Sequence, residues 1–120
     1  MNAKKENSIH YKYIFILFSL ITLISCSTVQ IGQDFKLDTF TSNAVPGKTT
    51  KGQVLKWLGS PMSKGISHKE DGEQLDEWSY FYSTGELPGM KDTKLKMLQI
   101  RFDKQGTLRS YNWSGTNNRL

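Results

Sequence analysis

Cysteine and histidine are scarce in this chain, with one of the first and two of the second. A disulfide needs two thiols, so none forms within the chain. A transition-metal centre needs several nitrogen or sulfur ligands converging on one ion. Beyond residue 25 there is a single histidine, His68, set among Ser67, Lys69 and Glu70. The carboxylates Glu70, Asp71, Glu73, Asp76 and Glu77 lie close together. Their spacing lacks the alternating ligands, central glycine and terminal glutamate of a calcium loop, and they read as a solvated connection. No G-x-S-x-G nucleophile elbow occurs. Gly47-Lys48-Thr49 has the form of the end of a phosphate loop, but Ser42 stands where that pattern requires its first glycine. The formal charge of +5 is spread along the chain and lacks the clustered Lys/Arg stripe of a nucleic-acid surface. These absences argue against an enzyme, a metal or cofactor protein, a small-molecule binder and a nucleic-acid binder. Long apolar runs are missing too. The longest, Tyr13 to Leu23, falls short of the roughly 20 residues that span a bilayer.

That short run has a layout of its own. A basic head carrying Lys4, Lys5 and Lys12 precedes it, and Leu23-Ile24-Ser25-Cys26 closes it. A positive head, a short apolar stretch and a small residue before the cut describe a secretory signal. The last four residues resemble the lipobox of bacterial lipoproteins. That resemblance implies cleavage between Ser25 and Cys26, a diacylglyceryl group on the Cys26 thiol and an acyl chain on the new amine. Each buried methylene contributes ~0.8 kcal/mol, and one chain alone binds only marginally. Two or three chains on Cys26 would hold the protein on a membrane. Ser27, in place of the aspartate that retains lipoproteins in the inner membrane, implies the outer membrane, facing the periplasm. The expected organisation is a signal peptide over 1–25, a lipidated N-terminus and flexible polar tether over 26–36, a folded domain over 37–114 and a tail over 115–120.

Within the domain, Leu37, Phe40, Ala44 and Val45 recur at helical spacing behind Asp38 as a cap. Pro46-Gly47 breaks that pattern. Thr50-Lys51-Gly52-Gln53 forms a capping box. It opens a helix through Leu58, with Val54, Leu55 and Leu58 on one face and Gly59 as a left-handed cap before Pro61. Met62 to Asp76 reads as a polar connection. Three period-two segments then predict strands: Trp78 to Ser83, Met97 to Phe102 and Leu108 to Trp113. Thr84 to Thr93 reads as the loop between the first two. Asp103-Lys104-Gln105-Gly106 reads as a tight turn before the third. Helices followed by strands imply an α+β fold with segregated layers.

In order along the chain come Pro46-Gly47-Lys48-Thr49-Thr50, Val54, Leu58-Gly59-Ser60-Pro61 and Trp78-Ser79-Tyr80. Leu98-Gln99-Ile100-Arg101-Phe102-Asp103 follows, with Gly106 and Leu108. Together, over about residues 31–113, they resemble the SmpA/OmlA domain, the BamE-like small lipoproteins. The resemblance implies two short helices packed on a three-stranded antiparallel sheet. It also implies a non-catalytic scaffold or accessory subunit in outer-membrane protein assembly or envelope integrity, with the β-barrel assembly machine as partner. The alternative is a periplasmic protein-binding or inhibitor module, since the family fold is similar to that of β-lactamase inhibitor proteins.

The last strand poses a parity problem. Leu98, Ile100 and Phe102 share one face, assigned to the helices. Leu108 stands at odd separations from Tyr111 and Trp113, so a regular strand cannot turn all three the same way. Either Tyr111 and Trp113 face solvent as a partner surface with Met97 and Arg101, or a bulge near Ser110 turns both rings inward.

Overall fold

The computed structural model describes residues 3–21 and 26–116. Helix α1 covers Ala3–Ile21. Among the described residues no helix is long and apolar enough to cross a membrane. Strand β1 (Ser27–Gly32), helices α2 (Leu37–Asn43) and α3 (Lys51–Leu58), and strands β2 (Ser63–His68), β3 (Gln74–Leu87), β4 (Lys91–Phe102) and β5 (Leu108–Gly115) follow. The class is α+β, as expected, but the sheet has five strands instead of three and α1 is a third helix.

Both additional strands pair with β3. Residues 27–32 of β1 run antiparallel to Tyr82–Leu87, and residues 63–68 of β2 run antiparallel to Gln74–Ser79. One edge of β3 is thus shared end to end by two short strands, while β4 and then β5 continue the sheet from its other edge. Neither segment is the loop that its composition suggests. β2 carries one apolar residue, the exposed Ile66, so no hydrophobic alternation reports it; its backbone hydrogen bonds define it. A polar edge strand bearing a lysine also discourages pairing with other chains. The expected loop over 84–93 is also largely strand, because β3 and β4 continue into one long hairpin whose turn is confined to Pro88, Gly89 and Met90.

Two local expectations hold in detail. The Thr50 hydroxyl accepts from the Gln53 amide at 3.3 Å, and the Gln53 side chain accepts from the Thr50 amide at 2.9 Å. At the turn, the Asp103 carboxylate accepts from the amides of Gln105 (3.0 Å) and Thr107 (2.9 Å), and Gly106 takes φ +79°. Two others shift. α2 begins at Leu37, so Asp38 lies in its first turn and Lys36 stands at the cap without a side-chain bond. Gly59 has φ +77° but ψ −165°, an extended rather than left-handed helical cap, with its amide donating to the Leu55 carbonyl at 2.9 Å.

Both domain helices lie on one sheet face. Phe40, Val54, Leu98, Ile100, Phe102 and Leu108 are wholly buried there. Phe40 meets Tyr111 edge to face at 5.0 Å, and Trp78 meets Phe102 at 4.9 Å; such contacts add ~0.5–1.5 kcal/mol beyond area burial. Gly47-Lys48-Thr49, the phosphate-loop near miss, is a structural clasp. The Gly47 amide donates to the Leu108 carbonyl (2.8 Å), and the Leu108 amide to the Thr49 carbonyl (2.7 Å). The buried Thr49 hydroxyl accepts from the Val45 amide at 2.8 Å. The segment therefore ties the helix pair to the start of β5 and has no amides aimed outward at an anion.

Tyr80 links the layers. Its hydroxyl donates to the Gly59 carbonyl at 2.9 Å, and burial pushes its pKa up from 10.0 to about 12. The folded state therefore favours the neutral phenol. This contribution is complete below pH ~10 and is lost as pH rises toward 12. Tyr80→Phe is expected to cost about 1 kcal/mol at neutral pH by removing one hydrogen bond. It should also flatten the fall in stability between pH 10 and 12, as read by denaturant titrations of both proteins across that range. Parallel pH profiles would show that Tyr80 does not carry the alkaline transition.

Candidate functional site

Antiparallel pairing decides which side chains share a face, because directly opposed residues project to the same side. Trp113 lies opposite Leu98 and Tyr111 opposite Ile100. The ladder then slips: Arg101 faces Ser110, while Phe102 faces Leu108. Arg109 is the extra residue of a β-bulge. The bulge resolves the parity problem by letting Leu108, Tyr111 and Trp113 all turn to the helix face. There Leu108 is fully buried, and both rings are half-buried against the core.

Met97 and Arg101 project to the opposite face. The four residues considered as one partner surface therefore form two pairs on two faces. Arg101 donates to the Glu77 carboxylate at 2.9 Å, and Gln99 donates to the other oxygen of the same carboxylate at 3.0 Å. Two more acidic residues of this region are paired with cations. Asp76 meets Lys51, and Glu73 meets Lys69 and Arg109. Glu73, Asp76 and Glu77 are thus spent on separate cations, and the Asp71 carboxylate accepts from the Glu73 amide at 2.9 Å. Among the described residues no group of three or more His, Cys, Asp or Glu is placed to hold a metal ion. His68 closes strand β2 and is exposed.

Among the described residues no helix of the domain covers this second face, and it is graded along the strands. Toward the Asp103–Gly106 turn it is polar, with Ser79, Gln99 and Asn112 opposed across three strands. Toward the β3–β4 hairpin it becomes apolar. Phe81 opposes Met97, and Ser83 stands between Ile31 and Leu95. Met97 is 44% exposed and Ile31 is 51% exposed. Phe81 was not singled out from the sequence. It falls on the solvent parity of the Trp78–Tyr82 alternation, where its aromatic ring is itself the signal.

The segment expected to be a flexible tether is ordered as β1 and then fastened to the core. Gly32 ends the strand with φ +78°. A Cβ built there would sit 2.1 Å from the Phe81 carbonyl oxygen, far inside any carbon–oxygen contact distance. Asp34 pairs with Lys96, whose ammonium also donates to the Phe35 carbonyl at 2.8 Å. That ammonium lies 5.3 Å from the Phe35 ring centre and 5.2 Å from that of Tyr82, within cation–π range. Phe35 itself is buried and meets Tyr80 at 5.6 Å. Cys26 is exposed, one residue before the Ser27–Leu87 pair. Ser25, the expected residue before the cut, lies outside the described residues, as does the tail beyond Thr116.

The family model described as the outer membrane protein assembly factor BamE domain matches residues 42–112. That span takes in both the Pro46–Thr50 clasp and the bulge of the fifth strand. No curated protein matches the chain.

Gly32→Ala is expected to unfasten β1 while leaving the core folded. The left-handed conformation alone costs a residue with a Cβ about 1–2 kcal/mol, and the clash with the Phe81 carbonyl adds to that. Amide exchange reads it: Val29 and Ile31 should lose protection while Ile100 keeps it. Unchanged protection at Ile31 would show that the strand tolerates the side chain.

Proposed function

The chain belongs to the family of outer membrane protein assembly factor BamE domains, and on that footing we propose that it is a lipid-anchored, non-catalytic accessory subunit of outer-membrane protein assembly. The family supports a role in outer-membrane protein assembly in general. Its two ends of contact are then a bilayer and a protein. The lipobox, with Cys26 as the acylated residue, supplies the first. Acylation on the thiol and amine would make membrane attachment independent of any protein partner. The mature protein faces the periplasm from the outer membrane.

The protein contact is assigned to the helix-free sheet face. The observation that carries this assignment is the exposed Met97 beside Phe81, with Arg101 held rigid by Glu77 on the same face. Apolar side chains flanked by an oriented arginine make a surface of the kind that protein partners use as an anchor. Tyr111 and Trp113 contribute through the opposite face, where they seal the rim of the core beneath α2. Their truncation is expected to lower stability before it touches partner capture.

Two measurements test the two contacts. Intact-mass analysis of protein from membranes should show a chain beginning at Cys26 with the mass of its acyl groups, and Cys26→Ser should lose it. A chain beginning at Cys26 at its bare polypeptide mass overturns the anchor. Met97→Glu should reduce co-purification of the β-barrel assembly machine from detergent-solubilised envelopes by about tenfold or more. Its own stability should change by no more than about 0.5 kcal/mol, as for ordinary surface substitutions. Undiminished co-purification moves the protein contact off this face.

A further inference from the structure

The pairing of β1 has a geometric result that reaches beyond the anchor itself. β1 is antiparallel to β3, so its first residue lies at the far end of β3. Ser27 opposes Leu87, and Cys26 precedes Ser27. The acylated residue therefore emerges beside the β3–β4 turn, at Pro88-Gly89-Met90. That turn extends past the rest of the sheet on one side. The paired part of β5 ends where Gly115 meets Lys96, and the Thr116 amide donates to the Leu95 carbonyl just beyond it. Among the described residues β1 is the one strand outside the hairpin that pairs with residues 84–94, and the Thr116 hydroxyl reaches the Thr93 carbonyl at 3.5 Å.

The side chains at this end are apolar and exposed. Leu87 and Met90 are each 41% exposed. Met90 folds back so that its terminal methyl carbon stands 2.6 Å from where a Cβ of Gly85 would be. Gly85 is paired with Val29, so Met90 and Val29 adjoin on the helix-free face. The charges nearby cancel, with Lys91 and Lys94 against Glu86 and Asp92. A neutral, apolar tip next to an acyl anchor suits the interfacial zone of a bilayer, where apolar side chains enter and flanking lysines reach the headgroups.

We propose that the β3–β4 hairpin tip is a second membrane contact, with Leu87 and Met90 entering the bilayer interface beside the Cys26 acyl chains. This rests on the anchor reading above. The two contacts together would fix the domain's orientation, which a single flexible tether cannot do. The strands then stand toward the membrane normal. The Asp103–Gly106 turn projects away, about 35 Å from the tip along β4 at ~3.3 Å per residue.

The test uses the acylated full-length product in its own membrane vesicles. With Cys26 acylated, a cysteine introduced by Leu87→Cys or by Gln105→Cys is the only free thiol and takes an environment-sensitive dye. Nitroxide-bearing phosphatidylcholine should quench the dye at position 87 several-fold more than the dye at 105, and aqueous iodide should show the reverse order. A second reading needs no substitution. Peroxide oxidation of the wild-type protein should be slowed several-fold at Met90 on going from detergent to membranes, with the exposed Met62 as the internal reference. Acyl mass present with equal quenching at the two positions and no protection of Met90 overturns the tip contact alone. Acyl mass absent overturns the anchor reading, and the tip contact with it.

Discussion

The double-edged pairing of β3 is the constraint on which the other elements depend. A fourteen-residue strand offers backbone donors and acceptors along both edges. Water is excluded from one face by the helices, so those groups must find partners within the sheet. β4 satisfies one edge along nearly its whole length. The other edge is closed by β2 and β1, drawn from opposite sides of the helix pair in sequence. Because the same strand fixes both, the position of the N-terminal arm and that of the α3–β2 connection are set in one frame. The helix pair is then locked from above by the Pro46–Thr50 clasp on Leu108 and from the side by the Tyr80 hydroxyl on Gly59.

What was legible from the amino-acid sequence was what hydrophobic alternation and local hydrogen-bonding chemistry encode. The Thr50 box and the Asp103 turn are self-contained, since each motif holds both partners of the interaction that forms it, and the Leu98–Ile100–Phe102 stripe shows in the alternation of a single strand. β2 was not legible, because Ser63–His68 carries almost no apolar pattern and its partner lies on another segment. β1 left a trace in Val29 and Ile31, two branched residues at period two, masked by polar neighbours. The hairpin over 84–93 was hidden by its own glycines. Gly85, which reads as a breaker, is an interior strand position that leaves room for Met90. On the last strand, the odd spacing revealed that something must give, but whether the strand bulged or exposed its rings is settled by the β4 register, which no stretch of one strand contains.

The proposed partner face was legible to about the same depth. Met97 and Arg101 emerged from strand parity alone. Phe81 and Ile31 did not, since their importance comes from the rows formed across strands. The clasp is the converse case. Gly47-Lys48-Thr49 has the right letters for phosphate, yet its amides are consumed by the Leu108 and Val45 carbonyls, so the loop has no backbone donors left to cradle one.

The antiparallel course of β1 also has a mechanical side. Hydrogen bonds in such a ladder lie perpendicular to the strands. A load applied at Cys26 along the strand axis shears the Ser27–Gly32 bonds together, rather than peeling them one after another. Behind them stand the Asp34–Lys96 pair and the buried Phe35 ring, in line with the same pull. The arm is a tension member, stiff along the direction in which a membrane would tug on the domain and weakest to a sideways lift from its first residue.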